Sequence, residues 1–268
     1  MKQNSIRERS TIVIVLGNEK GGAGKTTFSM HLIVGLLDKG YSVVSIDTDL
    51  RQKSLTTYVE YRKKYNISNV SHAVVMPEHH VIEEESKGND LQETRLVSII
   101  NEHLGKKDYI VIDTPGSYTN LSKTAHSYAD KVITPINDSF VDLDVIAKFE
   151  GGSLNMDKPS IYSEMLWQQK ITKMERDGNN VDLIVVRIRL SNVDSHNKRN
   201  IHDTLEVMSK RLSFKIAPGF GERVIFRELF PFGLTLLDMN KVKFHKVESL
   251  SHVAARQEVR NLLNFIDA

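Results

Sequence analysis

Cysteine is absent from the 268-residue chain. Without it there can be no disulfide, no cysteine nucleophile, and no thiolate-bound zinc or iron–sulfur cluster. Its ten histidines are scattered, and the pair at His79 and His80 lies in a polar, acidic stretch. We do not predict a metal site there.

An excess of charge of one sign is also missing. The chain has 36 basic and 34 acidic side chains, a net charge of +2, so any basic surface must be a local patch. No apolar run approaches the roughly 20 residues needed to cross a bilayer, and the first ten residues, MKQNSIRERS, do not resemble a secretion signal. We therefore expect a cytoplasmic protein with no membrane anchor.

Short apolar runs alternate with helical patterns along most of the chain. This alternation predicts an α/β protein whose mostly parallel, twisted sheet carries helices on both faces. The clearest predicted helices are residues 25–38 and 197–212. The clearest predicted strands are 11–17, 42–47, 109–116, 131–136 and 181–190.

The remaining segments are less distinctive. Residues 73–76 are a weaker strand candidate, 77–90 is predicted to be a surface excursion, and 1–10 is expected to be flexible. Near the end, an amphipathic helix is predicted to pack its apolar face on the body of the protein. That face is Val253, Ala254, Val259, Leu262, Leu263 and Ile266. With no repeat or linker visible, we expect 1–268 to form a single domain.

The stretch GNEKGGAGKTTFSM, residues 17–30, follows the first predicted strand and opens a helix. Its glycines allow backbone N–H groups to point into a concavity at the helix N-terminus, which binds phosphate. Lys25 would reach the β- and γ-phosphates, Thr26 would ligate Mg²⁺, and Thr27 would contact the α-phosphate. The predicted nucleotide contacts are Gly21, Gly22, Ala23, Gly24, Lys25, Thr26 and Thr27. This loop makes the predicted fold a P-loop NTPase type.

Three aspartates follow two of the predicted strands. Asp47 and Asp49 end one, and Asp113 ends another, so all three should gather at the carboxyl edge of the sheet, where ligands bind. We predict that Asp113 supports Mg²⁺, that Asp47 assists it, and that Asp49 orients the attacking water.

The loop departs from the usual phosphate-loop pattern, because Glu19 stands where its first glycine should be and Lys20 is an extra lysine. The form K-G-G-x-G-K-T resembles the deviant Walker A loop of the ParA/MinD superfamily. The resemblance implies that Lys20 reaches the nucleotide of a second subunit, so that ATP joins a homodimer and hydrolysis releases it.

Segments along nearly the whole chain are similar to those of the MipZ family within that superfamily. They read GNEKGGAGKTT, IDTDLRQ, IDTPG, TPINDSFVDLD, KPSIYS, RELFPFGLTLLD and AARQEVR. The resemblance implies an ATPase that positions the division plane, binds the partition protein ParB and non-specific DNA, and inhibits polymerisation of FtsZ. It also implies association with the nucleoid, graded from the cell poles.

Two features of the sequence leave base recognition and DNA binding open. Ile188 stands where the superfamily often has a base-recognising asparagine. A basic region suggests DNA contact through phosphates, although such a charge run is often only a solvated face. Its members are Lys198, Arg199, Lys210, Arg211, Lys215, Arg223 and Arg227. The alternatives are a chromosome or plasmid partition ATPase, a metabolic ATP-dependent enzyme of the same fold, and a purely structural nucleotide binder.

Overall fold

A computed structural model describes residues 10–83, 89–150, 156–190, 196–221, 223–242 and 249–267. Side chains at 89–90 and 196–198 are outside this description. The expected flexibility of the first ten residues concerns positions that, apart from Ser10, lie outside the described residues.

In the described chain, strands and helices alternate as the apolar pattern predicts. The strands are β1 (Ile12–Leu16), β2 (Val43–Asp47), β3 (Glu78–Val81), β4 (Tyr109–Asp113), β5 (Lys131–Asn137), β6 (Ala147–Phe149), β7 (Met156–Pro159), β8 (Asp182–Leu190) and β9 (Lys215–Gly221). The helices are α1 (Lys25–Asp38), α2 (Ser54–Ser68), α3 (Asn89–His103), α4 (Asn120–Tyr128), α5 (Phe140–Leu143), α6 (Ile161–Asp177), α7 (His196–Leu212), α8 (Ile225–Leu229) and α9 (Leu250–Asp267).

Seven of these strands form one sheet in the order β3-β2-β4-β1-β5-β8-β9. Every pairing in it is parallel, whereas β6 and β7 form a separate antiparallel hairpin. Parallel strands are buried on both faces, which explains the nearly continuous runs of Val and Ile in β1, β4 and β8. The loops that follow these strands therefore lie along one edge of the sheet, with those after β1, β4 and β5 next to one another.

The side chains of the sheet alternate between two helical layers. One core joins the β1 residues Ile14 and Leu16 to α1, α2 and α9, and includes Leu32 and Leu263. The opposite core joins Val13 and Val15 to α3, α4 and α6. A third cluster packs α7 against β5 and β8. The expected α/β architecture with helices on both faces is confirmed.

Two predictions about the segment around residue 77 are wrong. Residues 73–76 are not a strand, and the predicted excursion 77–90 contains β3, which pairs with β2 as an edge strand. Ile82, directly after it, is buried. The sequence EHHV has no apolar run to predict a strand, because an edge strand need not be apolar on both faces.

The last helix packs as expected over most of its apolar face. Val259, Leu262, Leu263 and Ile266 are buried, and α9 contacts α1 and β9. Val253 and Ala254 are exposed, so the first turn of the predicted face does not take part. Among the described helices, none combines the length and apolarity required to cross a membrane.

Candidate nucleotide site

The loop between β1 and α1 has the shape of an anion cradle. Gly22 and Gly24 have φ of 75° and 67°, in the left-handed region that favours glycine. The Lys25 ammonium lies inside the loop and donates to the carbonyls of Asn18 at 2.9 Å and Lys20 at 3.2 Å. Burial lowers the pKa of Lys25, while Asp113 and Asp49 oppose this shift. A charged, partly desolvated donor thus sits where phosphate oxygens would bind.

Asn18 fixes the base of this loop. Its Nδ2 donates to the carbonyl of Pro135 at 2.6 Å, and its Oδ1 accepts the backbone N–H of Lys20 at 2.7 Å. Asn18 is not among the residues predicted from the sequence, although it lies inside the stretch at residues 17–30. Its two contacts tie the loop to β5, which leads to α5.

A second loop, carrying Gly116, packs directly against the cradle. A Cβ at position 116 would lie 3.0 Å from the backbone N of Gly21 and 3.1 Å from the carbonyl carbon of Lys20. Only glycine permits this approach without displacing backbone. The segment IDTPG was recognised for its aspartate, but its glycine is equally tied to the geometry of the site.

Thr26 and Asp113, the two residues predicted to hold Mg²⁺, are in direct contact. The Thr26 hydroxyl donates to Asp113 Oδ2 at 2.8 Å, and Ser29, which the sequence analysis missed, donates to Oδ1 at 3.0 Å. Burial raises the pKa of Asp113 to about 7, Asp47 adds to the shift, and Thr26, Lys25 and Ser29 counter it. A hydroxyl beside a desolvated carboxylate is a donor set that suits Mg²⁺. The residues present therefore fit a magnesium–nucleotide site.

Asp47 lies beside Asp113 in the β2–β4 pairing, but its carboxylate faces a different element. Its Oδ1 accepts from the backbone N–H of Asp49 at 3.0 Å, and its Oδ2 accepts from the N–H and hydroxyl of Thr56, both at 2.9 Å. Burial raises its pKa, whereas these hydrogen bonds lower it. The contacts of Asp47 thus position α2 and do not involve Thr26, and the predicted assistance of Asp47 to Mg²⁺ stays a prediction.

Asp49 occupies the turn between β2 and α2 and is half-buried. Its Oδ1 accepts the backbone N–H groups of Arg51 at 3.2 Å and Gln52 at 3.0 Å. The side chain therefore also shapes this turn. Any test of Asp49 in hydrolysis must keep an acceptor at this position.

Lys20 points away from the cradle. Its ammonium donates to the carbonyl of Val141 and lies 3.3 Å from Asp142 Oδ1, so within one subunit it is held against α5. Its side chain is 35% exposed. The two lysines of the loop thus have different surroundings: Lys25 is inside the loop and Lys20 at its outer rim.

A pocket of about 190 Å³ lies beside the first turn of α1 and is lined in part by Gly24, Ile188, Phe226, Arg223 and Arg227. It has the position expected for a nucleotide base, next to the phosphate loop. Ile188 occupies the place of the absent asparagine and packs on Gly24, where an added Cβ would lie 2.7 Å from its Cδ1. Arg223 and Arg227 therefore belong to this pocket.

The structure places the predicted basic residues in more than one part of the fold, and their contact with DNA stays a prediction. Lys198 and Arg199 begin α7 near the carboxyl edge of the sheet, and Lys210 is about 18 Å further along the helix. Arg211, which donates to the carbonyl of Met156, and Lys215, paired with Asp182 at 2.9 Å, lie near Lys210 at the opposite edge. The Lys198 side chain lies outside the described residues, and Arg223 is paired with Glu258 at 2.5 Å. The basic residues lie close together in the sequence, and sequence proximity alone does not show how far apart a helix places them.

A parallel sheet, a glycine-rich loop at the N-terminus of α1, and a lysine, a hydroxyl and a carboxylate around that loop together define a P-loop NTPase. A family model described as ATPase MipZ matches residues 12–267. The chain belongs to this family of ATPases.

The curated relatives that match the chain include MinD and ParA proteins. The septum site-determining protein MinD of Helicobacter pylori is 30% identical over 151 residues, which cover 50% of this chain and 56% of that protein. The chromosome partitioning protein ParA of Myxococcus xanthus is 23% identical over 240 residues, or 81% and 82% of the two chains. The match thus spans little more than half the length of the MinD relative.

Solved structures show the same fold. McdA of Cyanothece, in a complex with ATP, has a TM-score of 0.63 at 15% identity, covering 96% of each chain. MinD of Pyrococcus horikoshii, complexed with Mg-ADP, has a TM-score of 0.59 at 16% identity, again covering 96% of each chain. A plasmid partition protein of Borrelia burgdorferi bound to AMPPNP has a TM-score of 0.59 at 18% identity, covering 96% of this chain and 99% of that one.

Proposed function

We propose that this protein is an ATP-dependent dimerising switch that regulates bacterial cell division. It would hydrolyse ATP slowly, to ADP and phosphate, with Mg²⁺ bound beside the nucleotide. Support comes from the family match over residues 12–267 and from a cradle that holds Lys25 and places Thr26 against Asp113. The chemistry would time the lifetime of the dimer.

Each group around the cradle has a distinct task in this proposal. The loop N–H groups and Lys25 would bind the phosphates, and Thr27 would contact the α-phosphate. Thr26 and Asp113 would hold Mg²⁺, which neutralises charge on the transferred phosphoryl group. Asp49 would orient the attacking water, and Asp47 would keep the turn before α2 in place through Thr56 and the Asp49 N–H.

The observation that carries the switch is the position of Lys20. Its ammonium lies at the outer rim of the loop against Val141 and Asp142, where a second subunit can approach. In a homodimer, Lys20 would leave these partners and bind the γ-phosphate of the other subunit. A charge-assisted contact of this kind forms only when ATP and both subunits are present, so ATP would stabilise the dimer.

The regulatory output follows from the family resemblance. We propose that the dimer binds a ParB-like partition protein and non-specific DNA, inhibits polymerisation of an FtsZ-like protein, and is graded over the nucleoid from the cell poles in the cytoplasm. Of the basic residues, Lys210, Arg211 and Lys215 remain one candidate DNA contact, and Lys198 and Arg199 another. We also propose that 1–268 acts as a single ATPase domain.

A partition ATPase is the second candidate. The match to the Myxococcus xanthus ParA covers 81% of this chain, more than the 50% covered by the Helicobacter pylori MinD match. Such a protein would move DNA cargo and leave FtsZ polymers unaffected. A metabolic enzyme of the same fold would instead require a specific small-molecule substrate for turnover.

Sedimentation of FtsZ polymers separates these candidates. FtsZ from the same cell is assembled with GTP in the presence of this protein with ATP and Mg²⁺ or with ADP, using wild type and Lys20→Ala. We expect the wild type with ATP to reduce the pelleted polymer several-fold, and the ADP form and Lys20→Ala to have little effect. Equal polymer in all four samples would refute the division assignment and favour partition.

A further inference from the structure

A second cluster of chemically active side chains lies on β3, far from the P-loop along the sheet. Glu78 and His80 project to the same face of β3, because side chains alternate along a strand. His103, the last residue of α3, meets them there. Since β3 and β1 are separated by β2 and β4, the cluster lies about 14 Å from β1 across the sheet.

Three ligand atoms in this cluster form a nearly regular triangle. His80 Nε2 and His103 Nε2 are 3.1 Å apart, and each lies 3.4 Å from Glu78 Oε1. Tetrahedral zinc with ligands at 2.0–2.2 Å requires ligand atoms about 3.3–3.6 Å apart. The observed spacing is therefore close to one face of a zinc coordination tetrahedron.

The surrounding contacts hold this triangle in place. Lys107 pairs with the other carboxylate oxygen of Glu78, Oε2, at 2.6 Å, which leaves Oε1 facing the histidines. The Thr11 hydroxyl donates to the carbonyl of Lys107 at 2.6 Å and accepts the N–H of Gly105 at 2.8 Å, so the turn after α3 is fixed. An orienting partner behind a ligating carboxylate is a recurring feature of metal sites.

We propose that Glu78, His80 and His103 bind one Zn²⁺, with water at the fourth position. Two imidazole nitrogens and one carboxylate oxygen are a ligand set that zinc prefers. Glu78 is exposed, His80 half-buried and His103 buried, so the cluster lies at the protein surface, where water can reach a fourth position. The ion would tie the edge strand β3 to the end of α3 and so stabilise this edge of the sheet.

Isothermal titration calorimetry with zinc chloride tests this site. Protein freed of metal by chelator is titrated in the presence of Mg²⁺ and ADP, which occupy the P-loop. The test variants are His80→Ala and Glu78→Gln. His79→Ala is the matched control, because His79 lies on the opposite face of β3 and contacts Ser45 and Thr56. Asp113→Asn controls for zinc at the predicted magnesium site.

The expected result is one Zn²⁺ per wild-type chain, with affinity reduced at least about tenfold in both test variants and nearly unchanged in both controls. Zinc should also raise the Tm of wild type and of His79→Ala, but not of His80→Ala. Co²⁺ should give the visible spectrum of a four-coordinate ion only where His80 is present. Wild-type affinity in His80→Ala, or no zinc binding by the wild type, would overturn the proposal.

Discussion

At the scale of single residues, the buried carboxylate of Asp113 lowers the stability of the folded protein. Asp113 is buried, and its pKa of about 7 shows that the ionised form is disfavoured in the protein without metal. A carboxyl whose pKa is raised on folding binds more protons in the folded state, so stability falls as pH rises from about 4 to 7. The proposed role of Asp113 beside Mg²⁺, and not stability, would account for an ionisable group at this position.

Asp113→Asn should therefore stabilise the metal-free protein while removing its activity. At pH 8 we expect the free energy of unfolding to rise by about 2 kcal/mol. Removing the buried charge gains about 4 kcal/mol, and part of this is offset because an amide NH2 cannot accept one of the hydrogen bonds from Thr26 and Ser29. The gain should shrink towards pH 5, and Mg²⁺-dependent ATP hydrolysis should be lost. Urea unfolding at the two pH values checks this, and a variant less stable than wild type at pH 8 would contradict it.

The titration of His31 changes stability with pH in the direction opposite to that of Asp113. Its Nδ1 lies 2.7 Å from the Thr27 carbonyl and its Nε2 accepts the Leu236 N–H at 3.2 Å, so the ring is neutral with the proton on Nδ1. Burial lowers its pKa to about 4, while the Thr27 carbonyl opposes the shift. The unfolded state then binds more protons between about pH 6.5 and 4, and His31 destabilises the fold as pH falls through that window.

Replacing His31 isolates this effect from the opposing one at Asp113. His31→Gln should lower the free energy of unfolding by about 2 kcal/mol less at pH 5 than at pH 7. The reason is that only the wild type loses stability at pH 5, where His31 is protonated in the unfolded state and neutral in the folded state. Leu32→Ala, at the next buried position of α1, should cost the same at both pH values. Urea denaturation gives these values, and an equal cost of His31→Gln at pH 5 and pH 7 would refute the assignment.

At the scale of elements, the segment Arg227–Asp238 acts as a clamp on α2. Asp238 accepts from Arg62 through two hydrogen bonds of 2.7 and 2.8 Å, and both side chains are fully buried. The Tyr58 hydroxyl donates to the Leu234 carbonyl at 2.5 Å. This segment, one of those that resemble the MipZ family, therefore has a packing role, since it holds the helix that follows Asp49.

Gly233 allows the segment Arg227–Asp238 to pack closely against the backbone of α2. It has φ of 65°, and a Cβ there would lie 2.0 Å from the backbone N of Arg62. Gly233→Ala should lower the free energy of unfolding by at least about 3 kcal/mol, through a steric clash added to backbone strain. Gly178→Ala is the matched control, because its φ is 70° with no atom within 4 Å, and it should cost only about 1–2 kcal/mol. Equal costs in thermal unfolding would contradict this account.

Elements that carry strong local signals could be predicted from sequence, and those defined by distant partners could not. The β-branched runs of β1 and β4 and the glycines of the loop indicated the central sheet and the site. Strand β9 was missed because Pro218, Gly219 and Gly221 are unfavourable in strands. The contact between Arg62 and Asp238 joins residues 176 positions apart, and no local pattern reveals it.

At the scale of the whole molecule, the proposed switch requires Lys20 to exchange partners. Asp142→Asn weakens its contact within the subunit, by up to about fivefold for a partly exposed ion pair. Because both subunits of the dimer release one such contact, ATP-dependent dimerisation should become tighter by up to about thirtyfold. Asp144→Asn is the control, because Asp144 pairs with Lys148 instead. Sedimentation equilibrium with ATP and Mg²⁺ measures both, and weaker dimerisation in Asp142→Asn would contradict the exchange.

The most direct test of the switch is the mass of the protein in each nucleotide state. Light scattering on a size-exclusion column is run with ADP and with ATP and Mg²⁺ for wild type, Lys20→Ala and Asp49→Asn, the last of which keeps the acceptor for Arg51 and Gln52. We predict that ATP doubles the mass of the wild type, that Lys20→Ala stays monomeric, and that the Asp49→Asn dimer persists longer. The same mass in every nucleotide state would contradict the account.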